Sequence, residues 1–160
     1  MSALLVDSYD YGAVSHFAVL AALVHRTVGK VLELGVGWGS TPMLRLMCKD
    51  RLESYDNSMA WAHKFGVPWV NDWKKWEPEH PSYDVIFIDC APDEYRKDLA
   101  ARFKNRAKFI VCHDAECDTE HGGGGNYQYD LVIDQFRHVT FYRTLRPHTL
   151  ILSNVEKFIP

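Results

Sequence analysis

Residues 30–41, KVLELGVGWGST, hold the transition that decides the fold: a short apolar run gives way to a loop with glycine at alternate positions. The run predicts a buried strand that ends where the glycines begin. Glycine lets the backbone turn tightly and brings N–H groups close to a ligand without interference from a Cβ atom. Residues 41–49 then predict a helix, and a helix N-terminus favours a negatively charged ligand group. The glycines are Gly35, Gly37 and Gly39.

The rest of the chain continues this alternation of strands and helices. Further strands are predicted at 52–55, 67–70, 83–89, 107–112, 139–142 and 149–152, and helices at 13–28, after Asp56 through His63, at 94–104 and at 128–136. Alternating elements imply right-handed crossovers and a sheet covered on both faces. We therefore predict one α/β domain over residues 1–160, Rossmann-like and doubly wound. Its sheet has seven strands, mostly parallel, with an antiparallel strand near the C-terminus.

Composition and charge exclude several classes of protein. The 160 residues fit one domain, and a net charge of −3 gives no overall attraction to nucleic acid, although a local basic patch is left open. The longest apolar run, 17–24, is shorter than the roughly 20 residues that span a bilayer. Residues 1–12 carry no basic residue and do not resemble a signal peptide. We expect a cytoplasmic protein, not bound to membranes, whose cysteines are reduced thiols. They are Cys48, Cys90, Cys112 and Cys117.

The pattern Glu33-x-Gly35-x-Gly37-x-Gly39 resembles the first motif of class I S-adenosylmethionine-dependent methyltransferases. In the dinucleotide fingerprint, Gly-x-Gly-x-x-Gly, the third glycine comes one residue later. The resemblance covers roughly residues 12–155. It implies S-adenosylmethionine as the cofactor, with the glycine loop against its amino-acid part. It also implies that Glu33 helps to hold the methionine ammonium, often through water.

The same resemblance assigns roles to polar residues after the next three strands. Asp56 ends the second strand, where the family's acid accepts hydrogen bonds from both ribose hydroxyls, a role that suits an acceptor-only carboxylate. Asn71 and Asp72 follow the third strand, where the family contacts the adenine amine. Asp89 ends the fourth strand and faces the reacting methyl group in the family's geometry.

Residues 111–116, VCHDAE, follow the fifth strand and resemble the His-Asp segment of several small-molecule O-methyltransferases. His113 is the candidate general base, because an imidazole titrates near neutral pH. Asp89 and Asp114 complete the predicted catalytic set; a histidine that only hydrogen-bonds the neighbouring loop is the alternative. The segment Asp89-Cys90-Ala91-Pro92 departs from the Asn/Asp-Pro-Pro-aromatic element of many N-methyltransferases, which favours oxygen over nitrogen as the acceptor atom.

Two metal ions, Mg²⁺ and Zn²⁺, are candidates for binding at or near this segment. Some of these O-methyltransferases bind a divalent cation through acids after strands four and five. Asp89, Asp114 and Glu116 could hold Mg²⁺ in this way, while carboxylates that solvate a cleft or cap a helix are the alternative. Zinc on Cys112, His113, Cys117 and His121 is disfavoured, because Cys112 and His113 should point to opposite faces of the strand. No metal ligand is assigned.

Three flanking features are candidates for shaping the site. Tyr11 precedes the first helix, where the family often closes a lid, although it could equally anchor the terminus. The glycine run 122–125 is hypothesised to shape the acceptor pocket, with a passive linker as the alternative. Trp69, Trp73 and Trp76 offer either a stacking platform or core packing.

The sequence therefore predicts a methyltransferase that moves a methyl group from S-adenosylmethionine to an oxygen, less favourably a nitrogen, of a small-molecule acceptor. A chain with little beyond the core fold lacks the insertions that recognise macromolecules, so recognition by a partner subunit and a homodimer are left open. The alternative is a noncatalytic S-adenosylmethionine-binding module or subunit. A nicotinamide-dependent oxidoreductase is disfavoured by the glycine spacing.

Overall fold

A computed structural model describes residues 14–116 and 127–159 of the chain. Within these ranges the helices are α1 (Phe17–Arg26), α2 (Ser40–Cys48), α3 (Met59–Phe65) and α4 (Tyr95–Phe103). The strands are β1 (Val31–Leu34), β2 (Leu52–Tyr55), β3 (Tyr83–Ile88), β4 (Ala107–Cys112), β5 (His138–Tyr142) and β6 (Thr149–Ser153). They form one sheet in the order β2-β1-β3-β4-β6-β5.

The first four strands are parallel. β1 pairs with β2 on one side and with β3 on the other, and β3 pairs with β4. β6 then runs antiparallel to both of its neighbours, β4 and β5. The predicted mostly parallel α/β sheet with an antiparallel strand near the C-terminus is confirmed.

Helices cover both faces of the sheet, because successive strand residues point alternately into two cores. The core beneath α1 and α2 contains Val31, Val85, Phe87 and Phe109. The core beneath α4 contains Leu32, Ile86, Ile88 and Ile110. Burying a side chain of this size stabilises the fold by roughly 1.5–3 kcal/mol. The strands therefore form a rigid platform for the residues at their ends.

The prediction of seven strands is wrong for the described residues, which form six. Residues 67–70 make only an isolated parallel bridge, between Asp56 and Trp69. The Asp56 N–H donates to the Pro68 carbonyl and the Val70 N–H donates to the Asp56 carbonyl. Pro68 has no N–H to donate, so the ladder cannot continue through it.

The predicted helix over residues 128–136 is also wrong. Two separate 3₁₀ turns, Tyr129–Leu131 and Ile133–Gln135, occupy this segment. Val132 interrupts them with a φ of −125°. Adjacent β-branched residues, Val132 and Ile133, are stiff at χ1 and lower helix propensity, which fits the interruption.

No helix within the described ranges has the length and the apolar character needed to cross a membrane. Cys48, Cys90 and Cys112 are free and buried. The positions of Tyr11, Cys117, His121 and the glycine run 122–125 lie outside the described residues.

Candidate active site

The carboxyl ends of β1, β3 and β4 lie side by side at one edge of the sheet. Strand order reverses between β1 and β3, and ligands of open α/β sheets bind in the crevice at such a reversal. Gly35, Asp89 and His113 are the residues that directly follow these three strands. The sheet order thus brings together the glycine loop and two of the predicted catalytic residues.

Gly35 begins the glycine loop in a conformation that favours glycine, with φ of +94°. A Cβ atom there would lie 2.4 Å from the carbonyl oxygen of Asp89. The Gly35 N–H donates to the Tyr55 carbonyl at 2.9 Å, which fixes the loop to the end of β2. By contrast, a Cβ atom on Gly37 would meet no atom within 4 Å. Gly35 is required for packing, whereas Gly37 leaves free space beside the loop.

Glu33 is fully buried within β1. Its Oε1 accepts hydrogen bonds from Ser40 Oγ at 2.5 Å and Thr41 Oγ1 at 2.9 Å. Its Oε2 accepts one from Ser54 Oγ at 2.7 Å. Burial raises the pKa of Glu33 above its ordinary value, and these hydroxyls only partly oppose the rise. Glu33 therefore holds the start of α2 and the neighbouring strand around the glycine loop.

Asp56 connects the glycine loop to α3. Its Oδ2 accepts a hydrogen bond from the Val36 N–H at 2.8 Å, and its Oδ1 accepts one from the Ser58 N–H at 2.6 Å. A carboxylate oxygen has two acceptor positions, so each oxygen keeps one for a ligand. The side chain is nearly buried, and the two amides fix its orientation.

The predicted adenine-contacting residues follow the bridge to Asp56. Asn71 is exposed directly after Val70. Asp72 accepts a hydrogen bond from the Lys74 N–H at 2.9 Å through its Oδ1, which closes a turn. The structure thus places both residues beside the end of β2.

Asp89, His113 and Asp114 form a compact cluster at the ends of β3 and β4. His113 Nδ1 lies 3.3 Å from Asp89 Oδ1 and 3.4 Å from Asp114 Oδ1. Burial lowers the pKa of His113, but the hydrogen bond and charge of Asp89, with the charge of Asp114, outweigh it and raise this pKa above its ordinary value. Asp114 has a φ of +55°, which turns its carboxylate toward this cluster. The three predicted catalytic residues are therefore brought together.

Arg96 of α4 completes the cluster, and sequence reasoning missed it. Its Nη1 lies 2.9 Å from both Asp89 Oδ1 and Asp114 Oδ2, and only 7% of its side chain is exposed. Its Nε donates to the Cys90 carbonyl at 2.7 Å. Burial tends to raise the pKa of Asp89, yet His113 and Arg96 outweigh it and hold that pKa below its usual range.

The sequence contained a signal for Arg96. Arg96 is a charged residue on the buried face of α4. Arg96, Leu99, Ala100 and Phe103 are buried at the spacing i, i+3, i+4, i+7, which is one face of a helix. An arginine on an apolar stripe needs an acidic partner inside the protein, because a buried charge is costly unless it is paired.

The start of α1 encloses the other side of His113. Ser15 Oγ lies 3.0 Å from His113 Nε2. The His16 ring packs at 4.7 Å against the His113 ring and at 4.6 Å against Phe87. Burial, and then the charge of His113, lower the pKa of His16 to about 3, so His16 is neutral at physiological pH. No motif in the sequence indicates either residue.

Two tyrosines fasten the cluster from the opposite side. Tyr127 Oη donates to Asp114 Oδ2 at 3.2 Å, and its ring lies 4.7 Å from the Arg96 guanidinium carbon. Tyr129 Oη donates to the His113 carbonyl at 3.0 Å. Tyr129 is buried, which is why the segment 129–135 packs against the sheet.

The residues do not fit the magnesium site considered above. Glu116 turns away, since its Oε1 accepts a hydrogen bond from the His148 N–H at 2.7 Å. The guanidinium of Arg96 bridges Asp89 and Asp114 and supplies the positive charge that a divalent cation would bring. A magnesium ion would therefore lack the Glu116 carboxylate as a third ligand. The Arg96 guanidinium already lies between the carboxylates of Asp89 and Asp114.

The three tryptophans do not form one stacking platform. Trp73 is buried and packs edge-on against Trp76, with ring centroids 5.4 Å apart. Trp76 also packs against Tyr55. Trp69 is exposed and donates its Nε1–H to the Asn57 carbonyl at 3.0 Å. Core packing explains Trp73 and Trp76.

No protein-family model matches the sequence, and no curated protein matches it. Solved structures do share its fold. The methyltransferase domain of a bacterial Hen1, CtHen1-C, superposes with a TM-score of 0.60 at 14% identity, over 92% of this chain and all of that one. The N-terminal domain of human METTL16 in complex with SAH gives 0.57 at 14% identity, over 88% and 69%. Human methyltransferase 10 domain containing protein gives 0.56 at 13%, over 91% and 83%.

At these identities the likeness is one of fold. The chain has the fold of class I S-adenosylmethionine-dependent methyltransferase domains, as the glycine motif predicts.

Proposed function

We propose that the chain is an S-adenosylmethionine-dependent methyltransferase that methylates an oxygen of a small-molecule acceptor. The observation that carries this proposal is the contact between Gly35 and the Asp89 backbone. It sets the glycine loop directly against the cluster of Asp89, Arg96, His113 and Asp114. A loop suited to the cofactor and a cluster suited to proton transfer thus share one crevice.

The residues of the loop fit the cofactor. The free space beside Gly37 admits a ligand against the backbone, and Asp56 keeps acceptor positions for a ribose diol. Asn71 and Asp72 stand where the adenine amine is expected. Glu33 acts as a positioning residue, because it is buried beneath the loop. When bound, S-adenosylmethionine supplies a methyl group on a sulfonium, and transfer of that group leaves S-adenosylhomocysteine.

The cluster of Asp89, Arg96, His113 and Asp114 suits an acceptor whose hydroxyl loses its proton during methyl transfer. Asp89 and Asp114 keep 27% and 21% of their side chains exposed, so an acceptor hydroxyl can reach them from the crevice. As the acceptor oxygen bonds to the methyl carbon, its proton passes to His113 at Nδ1, directly or through Asp89. This step uses the tautomer in which Nε2–H donates to Ser15 Oγ, since that tautomer leaves Nδ1 as the basic nitrogen. His113 is the general base in this proposal.

A noncatalytic binding module is the second candidate. The buried Ser15–His113 contact favours it, because the histidine is also explained as a structural link between α1 and the sheet. A binder without turnover needs the glycine loop and Asp56 but not a basic nitrogen at the crevice. Turnover and cofactor affinity, measured in a variant of the His113 cluster, distinguish the enzyme from the binding module.

The experiment measures S-adenosylhomocysteine formation across a panel of phenols, sugars, carboxylic acids and amines, alongside cofactor affinity by calorimetry. We expect turnover with a hydroxyl acceptor, and its loss in His113→Gln while cofactor affinity changes less than twofold. Tight cofactor binding without turnover on any acceptor would establish the binding module instead. Failure to bind S-adenosylmethionine and S-adenosylhomocysteine would refute both candidates.

A further inference from the structure

A second cluster of ligating side chains lies at the opposite end of the strands from the candidate active site. Glu53 is the second residue of β2, and Glu79 and His80 precede β3. One ligand atom from each lies within 4.8 Å of the other two. Tyr83 contacts Glu53 and is the first residue of β3. Asp89 directly follows the last residue of the same strand. Six residues of a strand span about 20 Å, so the two clusters are separate.

Two ligand atoms of this second cluster contact each other, and the third residue, Glu79, interacts with the Tyr55 hydroxyl. Glu53 Oε1 and His80 Nδ1 are buried, and among the described residues neither makes a hydrogen bond with a third residue. They face each other in an ion-pair contact, with only 9% of the Glu53 side chain exposed. In the absence of a metal the Nδ1–H of His80 can donate to Glu53 Oε1, and a divalent cation that displaces this proton could take both atoms as ligands.

The surrounding residues hold these atoms in place. Tyr83 Oη donates to Glu53 Oε2 at 2.6 Å and accepts from the His80 N–H at 3.2 Å. Arg106 donates to the carbonyls of His80 and Pro81 at 2.9 and 3.0 Å. A ligand carboxylate that is oriented by a second hydrogen bond is typical of metal sites.

The local charge is negative. Among the residues that the structure describes, neither Glu53 nor Glu79 forms an ion pair with lysine or arginine. Burial and then the charges of Glu79 and Glu53 raise the pKa of Tyr55 to about 12. Glu53, Tyr55 and Glu79 line a cavity of about 340 Å³ that gives access from solvent. Arg45 and Lys49 also line this cavity and limit the excess of negative charge.

We propose that Glu53, Glu79 and His80 bind a divalent cation of the zinc type. One imidazole nitrogen and two carboxylate oxygens suit Zn²⁺, whereas Mg²⁺ and Ca²⁺ prefer oxygen alone. The cation joins the irregular segment before β3 to β2 and so stabilises the region that also carries Asn71 and Asp72. Its role is structural, because the cluster lies far from the crevice.

The test starts with the chelator-treated protein, which is titrated with Zn²⁺ by calorimetry and with Co²⁺ by absorption. We expect one equivalent of the metal ion to bind per chain, and we expect the melting temperature of the protein to rise when it binds. Absence of stoichiometric binding would show that Glu53 and His80 form an ion pair only, and would overturn the proposal.

Variants locate the cation. Glu53→Gln and His80→Gln should each weaken Zn²⁺ binding at least tenfold, about 1.4 kcal/mol. Tyr83→Phe, which removes only the orienting hydrogen bond, should weaken it by about tenfold. His63→Gln, an exposed histidine on α3, and Asp89→Asn at the other cluster should bind as the wild type does. Zn²⁺ binding that survives unweakened in both Glu53→Gln and His80→Gln would also overturn the assignment.

Discussion

The guanidinium of Arg96 lies 2.9 Å from Oδ1 of Asp89, inside a pocket where only 7% of the arginine side chain is exposed. The same nitrogen reaches Asp114 at an equal distance. The Arg96 guanidinium is therefore a fixed positive charge on α4, and it compensates the negative charges of Asp89 and Asp114 in the candidate active site.

Arg96→Met should destabilise the fold by about 3 kcal/mol, because removing one partner of a buried ion pair leaves the other charge uncompensated. Urea unfolding measures this change. Lys97→Met is the matched control on the same helix. Its amine contacts Gln128 at the surface, so the expected change is within about 0.5 kcal/mol. Equal losses in both variants would mean that Arg96 contributes no more than a surface residue.

The pH dependence of methyl transfer tests His113. If His113 accepts the proton, it must be neutral, so kcat/KM should rise as the pH rises through the raised pKa of His113. Asp89→Asn removes the strongest influence that raises this pKa, and burial then lowers it. The rising limb should therefore move to lower pH, together with a lower maximal rate. Asp130→Asn, an exposed acid, should leave the profile unchanged; an unshifted limb in Asp89→Asn would argue against His113 as the base.

Asp56→Asn tests the link between the glycine loop and the cofactor. The amide cannot accept hydrogen bonds from both the Val36 and Ser58 N–H groups, so one contact becomes a clash of donors. We expect affinity for S-adenosylhomocysteine to fall at least tenfold, about 1.4 kcal/mol, in calorimetry. Asp50→Asn, an exposed acid near β2, is the control. Unchanged affinity in Asp56→Asn would place the ribose elsewhere.

Much of the fold could be predicted because the buried strands are apolar and bounded by turns. β2 and β4 have the bounds that the sequence predicts, and the residues after β1, β3 and β4 meet because parallel strands end at one edge. The strand predicted at 67–70 failed on a single residue, Pro68, whose missing N–H ends the ladder.

The candidate site was predictable only in part. Asp89, His113 and Asp114 follow strands, so topology places them together. Ser15 and His113 are 98 residues apart, and their contact depends on how α1 packs across the sheet. No local pattern contains that information. Arg96 differs, since its position on the apolar stripe of α4 marked it as buried.

Two glycine substitutions should separate packing from ligand contact in the loop. Gly35→Ala combines a φ of +94° with a Cβ atom 2.4 Å from the Asp89 carbonyl oxygen. Backbone strain alone should cost about 1–3 kcal/mol, seen as a lower melting temperature. Gly37→Ala fills open space, so its stability should stay close to that of the wild type. Its affinity for S-adenosylhomocysteine should nevertheless fall; unchanged affinity would mean that the ligand does not contact this part of the loop.

His16 should make the fold sensitive to acid. Its folded pKa of about 3 lies below its ordinary 6.5, because burial and the charge of His113 disfavour the imidazolium. The unfolded chain therefore binds a proton that the folded chain rejects. The stability contributed by neutral His16 is complete above pH 6.5 and is lost as the pH falls toward 3, by up to about 1.4 kcal/mol per pH unit.

His16→Phe keeps an aromatic ring against Phe87 and removes the titration. We expect the difference in unfolding free energy between the variant and the wild type to shift in favour of the variant as the pH falls from 6 to 4. Urea unfolding at several pH values measures it, and any constant cost of the larger ring cancels in the comparison. His113 acts in the opposite sense, since its raised pKa stabilises the fold at low pH and that stability is lost as the pH rises. A pH-independent difference for His16→Phe would show that His16 binds its proton equally well in the folded and unfolded chains, contrary to a lowered folded pKa.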